Sequence, residues 1–393
     1  MNRRKFIQQC TAVGVGLGLL DREAMSDSHG RPLASMRSKS PPAASVRELD
    51  GRPDEALSYV NSFPTPTLTD TWVKPHKTAR INFGKHTKMA YCPATELLYI
   101  CGGDGQGWHF GGNDSGTIDT VATYNVATHT YAEDFVYRGA PGEVTPRGLD
   151  FTAFTWAPKL NEFWLGPGYC FNYTTARYPW LDSAWKHSNY ASYSPVMKKF
   201  TDRGPKSGPV FVEGKAGSWD TNRDRLLWFT GTSLKSMNPA NGTITQAWPK
   251  GVNVSPHRME TSDTWYDAEA DEFYCVQIAT GKVYAIHVGK NTIRLVADLG
   301  VTVDQSTTRA VVYITDAKHV LIVYSVVDAG DQPWKLVNLL TGKVQSLNLF
   351  SPGLTRFDTG AYHPPTKTIV LTGGGTDGNL KNGASFHHYR SNL

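Results

Sequence analysis

The chain of 393 residues carries 40 Lys and Arg against 35 Asp and Glu, a net charge of +5, and beyond Arg3, Arg4 and Lys5 it has no run of cations of the kind nucleic-acid binding needs to displace counterions. With 37 Gly, 23 Pro, 11% aromatic and only 19% charged residues, its composition is that of many strands joined by turns. No apolar stretch of about 18 residues follows the N-terminus, so no membrane span is expected.

The N-terminus reads MNRRKFIQQCTAVGVGLGLL. Arg3-Arg4, then Phe6 and Ile7 and a Gly-containing apolar run to Leu20, resembles a twin-arginine export signal, with Asn2 and Gln8 departing from the usual pattern. Ala24 and Ser26 offer small residues for cleavage, which predicts removal of residues 1–26 and a periplasmic or secreted protein. Removal lowers the net charge to +3 and leaves Cys92, Cys101, Cys170 and Cys275. Their spacings suggest no disulfide scaffold, so most are read as packed thiols. Residues 27–55, rich in Ser, Pro, Arg and Asp, are too polar to bury a core and read as a disordered linker.

From about Ala56 to Leu393 one pattern recurs: a short run ending near an aromatic residue, a turn, and a strongly apolar strand. Taking Tyr91, Trp156, Trp219, Tyr266, Ile314 and Tyr362 as equivalent, the last three intervals are 47, 48 and 48 residues. Periods of about 40 to 50 residues built of strands mean propeller blades. The second strands are predicted at 97–101, 163–165, 226–229, 273–276, 320–324 and 369–371, with hairpins after all but the last. Asn-Gly, Thr-Gly and Gly-Lys pairs mark where those hairpins turn.

The sixth repeat stops one strand short, and an open blade would leave an unpaired edge. ALSYVNSF or LTDTWVKP, ahead of the first blade, can supply the missing strand. The expectation is an all-β, six-bladed β-propeller over 56–393 closed by an N-terminal strand. A seven-bladed alternative would need those two segments to begin a blade of their own.

The Gly102-Gly103 and Gly373-Gly374 pairs, with Tyr124 followed by Thr128 and Tyr131, resemble the kelch repeat of the galactose-oxidase-like propellers. The likeness lies in blades one and six; the other blades lack the Gly-Gly pair. The resemblance implies a propeller and little about chemistry.

Blades one and two are longer, 65 and 63 residues from anchor to anchor. The excess falls in the loops after the second strands, and long loops on a rigid scaffold carry function. They hold Trp108, His109, Asn113, Tyr178, Trp180, Trp185, His187 and Tyr190, flat rings with polar neighbours that suit sugars. Shortly before the anchors stand Arg147, Arg258, Arg309 and Arg356, which ring geometry would gather at one channel mouth. Converging guanidinium groups favour a carboxylate, sulfate or phosphate. Arg258 with Glu260 and Arg356 with Asp358 also read as structural pairs.

The expected ligand is therefore an acidic oligo- or polysaccharide. Whether it is turned over stays open. A polysaccharide lyase acting on uronates would use an arginine to neutralise the carboxylate, His109 or His187 as base and Tyr178 or Tyr190 as acid. The alternative is a non-catalytic glycan- or protein-binding propeller. A glycoside hydrolase, with Asp150, Glu213, Glu260 and Asp358 as candidate carboxylates, fits less well, and so does a copper radical oxidase, because Tyr362-His363, the chain's one Tyr-His pair, falls in a turn away from the mouth. No metal-ligand spacing occurs, no cofactor is expected, and a monomer is expected.

Overall fold

The structure is a computed structural model that describes residues 58–60, 68–73, 88–101, 120–136, 154–165, 190–204, 217–230, 233–246, 264–277, 280–300, 308–324, 333–347, 359–373, 385–391 and 393. The export signal at 1–26 and the linker at 27–55 lie outside the described residues. Among those described there is no α-helix, and strands dominate. They form six sheets that make a β-propeller of six blades.

Blade one is β3 (Lys88–Cys92), β4 (Leu97–Cys101), β5 (Thr120–Asn125) and β6 (Thr130–Val136). Blade two is β7 (Phe154–Ala157), β8 (Glu162–Leu165), β9 (Tyr190–Ser194) and β10 (Lys199–Gly204). Blade three follows as β11 (Gly217–Asp220), β12 (Arg225–Thr230), β13 (Ser233–Met237) and β14 (Ile244–Gln246). Blade four is β15 (Thr264–Asp267), β16 (Glu272–Gln277), β17 (Lys282–His287) and β18 (Thr292–Asp298). Blade five is β19 (Thr308–Ile314), β20 (His319–Tyr324), β21 (Trp334–Asn338) and β22 (Val344–Leu347). Each is a meander of antiparallel neighbours, the arrangement that short turns between successive strands impose.

Blade six has only β23 (Thr359–His363), β24 (Thr368–Gly373) and β25 (Ser385–Ser391) from the C-terminal part of the chain. The N-terminal β2 (Leu68–Val73) pairs antiparallel with β25, from Leu68 opposite Ser391 to Val73 opposite Phe386. The strand β1 (Ser58–Val60) then pairs with β2 as a fifth, outermost strand. Both N-terminal segments are thus used in one blade, which removes the seven-bladed alternative.

The turn after each first strand shows why the repeat was visible. Its last residue is left-handed in all six blades, at Glu96, Asn161, Asp224, Asp271, Lys318 and Lys367, with φ between 48° and 56°. Positive φ outside glycine is uncommon, and Asn and Asp tolerate it best. The register corrects one anchor: Ile314 pairs with His319 as Cys92 pairs with Leu97, so the partner of Tyr91 in blade five is Tyr313. With that shift the last three intervals become 47, 47 and 49 residues, and every anchor is aromatic.

Blades pack face to face through apolar and aromatic side chains. Tyr99 of blade one meets Phe163 of blade two, with ring centroids 4.9 Å apart. Trp164 of blade two meets Trp219 of blade three at 5.5 Å. Leu227 and Leu234 share a buried cluster with Phe273, Cys275 and Ile286 across the next boundary. Trp265 meets Tyr313 at 6.1 Å and Trp334 meets Tyr389 at 5.1 Å across the two after that. Cys92, Cys101 and Cys275 are buried in this packing, and burial pushes the Cys275 thiol pKa up.

Between blades six and one the contact is polar at its centre. Tyr124 Oη shares a hydrogen bond of 2.8 Å with His388 Nε2, and the His129 ring stacks on His388 at 4.9 Å. His363 Nε2–H donates to the Glu96 carbonyl at 3.0 Å. Burial, and then the charges of His129 and Arg390, push the His388 pKa down to about 3. Burial also lowers the pKa values of His129, His319 and His363.

Two outcomes follow for stability. Gly360 of β23 sits where a Cβ would meet Leu371 Cδ2 at 2.5 Å and Val312 Cγ2 of blade five at 2.7 Å. Overpacking of this kind costs about 1–3 kcal/mol, so Gly360→Val should lower the urea midpoint by a corresponding amount; an unchanged midpoint would show slack at that seam. The lowered histidine pKa values mean that the unfolded chain takes up protons which the folded chain refuses. Stability is therefore complete above about pH 6.5, the free histidine value, and falls below it at up to roughly 1.4 kcal/mol per pH unit for each such group. Urea midpoints at pH 7.5 and pH 5.0 should differ in that direction, and the difference should shrink in His388→Gln.

Candidate functional site

The first strands of the blades stand side by side around one channel: β3 lies next to β7, β7 next to β11, β11 next to β15, β19 next to β23, and β23 next to β3. All run the same way, ending in the turns with left-handed residues. One end of the channel is thus ringed by those turns and the other by the starts of the six strands. It is at the second end that the sequence analysis expects the arginines.

At the turn end, neighbouring blades are tied by charge. Lys159 Nζ reaches Asp224 Oδ2 at 2.5 Å between blades two and three. The Arg223 fork donates two bonds to Asp271 of blade four, at 2.7 and 2.8 Å. Lys318 Nζ of blade five bonds Asp267 Oδ2 of blade four at 2.5 Å. Tyr362 Oη of blade six donates to Asp316 of blade five at 2.9 Å, and Tyr266 Oη donates to Asp271 at 2.6 Å. The Arg223 bonds hold the Asp271 carboxyl well below the usual carboxylate range. Burial, then the Asp271 bond, raises the Tyr266 pKa; burial, then the Asp316 bond, raises that of Tyr362. These carboxylates are committed to holding blades together, and Tyr362-His363 belongs to the same structural set.

The channel itself encloses a cavity of about 320 Å³. Its wall includes the six aromatic anchors Tyr91, Trp156, Trp219, Tyr266, Tyr313 and Tyr362. Between them lie the small hydroxyl residues Thr155, Ser218 and Thr264. Ser218 Oγ and Thr264 Oγ1 bond at 2.8 Å, and the Trp219 backbone N–H donates to Thr155 Oγ1 at 3.3 Å. Lys88, only 6% exposed, contributes the one formal charge among the described lining residues. The wall is thus mainly apolar and aromatic with a few polar groups, the make-up of a small-molecule site, although Trp219, Tyr266, Tyr313, Tyr362 and Lys88 are themselves nearly buried.

Of the side chains expected from the sequence to form the site, Trp108, His109, Asn113, Arg147, Tyr178, Trp180, Trp185, His187, Arg258 and Arg356 lie outside the described residues. Arg309 is described through its backbone. The β19–β20 register shifts between Thr308 and Ala310, which makes Arg309 the extra residue of a bulge near the start of an inner strand. Bulges re-aim side chains and recur beside binding sites. Tyr190 opens β9, is 2% exposed, and packs edge-on against Trp228 of blade three at 5.2 Å. Its ring is part of the packing between blades, and burial raises its pKa.

The aromatic channel wall is not among the residues that the sequence analysis assigns to the site. The signal was present: every anchor once Tyr313 replaces Ile314 is Tyr or Trp. Lys88 stands three residues before Tyr91, closer to its anchor than the arginines, which stand four to nine residues before theirs.

No family model matches the chain, and none of the curated proteins compared with it matches. Solved structures do resemble it. A protein of unknown function from Bacteroides thetaiotaomicron VPI-5482 is 10% identical, with 85% of this chain and 87% of that chain covered and a TM-score of 0.52. An auxiliary nutrient binding protein from the same organism is 8% identical, with 79% and 70% covered and a TM-score of 0.49. At such identities the likeness concerns the fold alone.

Proposed function

We propose that this chain is an exported propeller that binds an acidic glycan at the channel mouth. What supports it most is the convergence of all six inner strands on one channel, with Arg309 as a bulge residue near the start of β19. Arg147, Arg258 and Arg356 precede other inner strands in sequence, and guanidinium groups gathered at one end would suit a carboxylate. The long loops after β4 and β8, with Trp108, Trp180, Trp185 and Asn113, are the elements to cover that end and stack on sugar rings. Export is read from Arg3-Arg4 and the apolar run behind them.

Binding without turnover is favoured over elimination. Tyr190, one of the two candidate acids, is shut into the packing against Trp228. A lyase would then rest on His109, His187 and Tyr178 alone.

The test is calorimetric titration of the mature protein with anionic and neutral oligosaccharides of equal length. A charge-assisted bond contributes about 1.5–3 kcal/mol, so Arg309→Ala and Arg258→Ala should each weaken the anionic ligands by roughly tenfold or more and the neutral ones hardly at all. Equal loss for both classes, or none, would contradict the reading. Release of an ultraviolet-absorbing unsaturated product would replace it with the lyase.

A further inference from the structure

The boundary between blades six and one is closed by side chains that change charge near neutral pH. His388 of β25 is buried there, 6% exposed. From blade one, the Tyr124 hydroxyl shares the 2.8 Å bond with His388 Nε2 and lies 3.4 Å from His129 Nδ1, while the His129 ring stacks on His388 at 4.9 Å. A hydroxyl has one proton to give. The set His129, Tyr124 and His388 is therefore satisfied when one histidine donates to the Tyr124 oxygen and the other accepts from its O–H. A proton on the donating ring leaves that set intact. A proton on the accepting ring turns both histidines into donors toward one oxygen, deprives the tyrosine proton of its acceptor and brings positive rings face to face. The other charges bearing on His388 are those of Arg390 and His363, both positive. Glu96 bears on His363, which donates to the Glu96 carbonyl and meets the Tyr91 ring edge-on at 5.1 Å. Val370 of β24 and Thr71 of β2, opposite His388 in its own sheet, bring no charge.

We propose that this boundary is an acid-sensitive latch in the ring: protonation of the stacked His129 and His388 pair parts blade six from blade one while the other blades stay packed. His129 is half-buried and gives protons a way in. The other boundaries have nothing equivalent at the contacts described, where Tyr99 meets Phe163, Trp164 meets Trp219, Trp265 meets Tyr313 and Trp334 meets Tyr389. The Arg223 fork between blades three and four also survives mild acid, because it holds Asp271 well below the usual carboxylate range. Residues 74–87 join β2 of blade six to β3 of blade one, so the parted blades stay tethered and can reclose. Since β3 and β23 flank the boundary and both line the channel, the channel wall opens with it. The latch does not depend on which ligand the mouth takes. Closure is complete above about pH 6.5, the free histidine value, and weakens as pH falls. With a closed-state pKa of about 3, His388 alone makes the open form about 30-fold more populated at pH 5.0 than at pH 7.5.

Hydrogen exchange of the full chain at pH 7.5 and pH 5.0, corrected for intrinsic rates, reads the opening blade by blade. Protection of 120–125 and 385–391 should fall by about 30-fold at the lower pH, while that of 226–230 in blade three and 272–277 in blade four hardly changes. His388→Gln keeps a hydrogen-bonding partner for Tyr124 but does not titrate, so in that variant the fall should disappear. Independently of any variant, nuclear magnetic resonance of the histidine rings should show at least one that stays neutral at pH 5.0, where a free imidazole is almost fully charged. A fall of equal size in every blade would mean that only the whole fold loosens, and it would overturn the proposal. So would unchanged protection at 120–125 and 385–391, a fall that persists in His388→Gln, or charging of every histidine at pH 5.0 with protection intact.

Discussion

Each blade of this molecule is a twisted sheet with an apolar face on both sides, so none is stable until it has a neighbour on each. A ring satisfies that demand for every blade at once, provided it closes. Here closure depends on the backbone ladder between Leu68–Val73 and Phe386–Ser391, which joins the beginning of the fold to its end within a single sheet. Without β2, the strand β25 would present a row of unpaired donors and acceptors. The seam beside it is where Tyr124, His129 and His388 meet, and the burial that closure imposes is what forces His388 to stay neutral.

Closure also makes the site. The same radial packing that buries Trp164 against Trp219 and Trp265 against Tyr313 brings six first strands around one axis. The turn end of that axis is locked by Arg223 with Asp271, Lys318 with Asp267 and Tyr362 with Asp316. Carboxylates at that end are neutralised by their partners and serve to hold the blades together.

Much of the fold was legible because its repeat is enforced by local chemistry. The second strands were readable as unbroken apolar runs because each lies buried between two blades, as Val320 to Tyr324 does with every residue nearly inaccessible. The hairpins were readable from their turn residues. The slip at Ile314 has a simple cause: Tyr313 and Ile314 are both buried, so burial alone does not say which faces the axis, and only the pairing of Ile314 with His319 does. The site was less legible. Tyr190 looks in sequence like the other aromatic residues of its loop, yet it begins β9 and packs on Trp228. Lys88 reads as a surface lysine until the ring places it on the channel wall.

The central claim, that an N-terminal strand closes the ring, is tested most directly by comparing two truncated chains, one beginning at residue 56 and one at residue 74. The account predicts that the first keeps the thermal midpoint of the full chain and slow amide exchange across 386–391, while the second loses several degrees and exchanges those amides rapidly. Equal midpoints and equal protection in the two chains would contradict it.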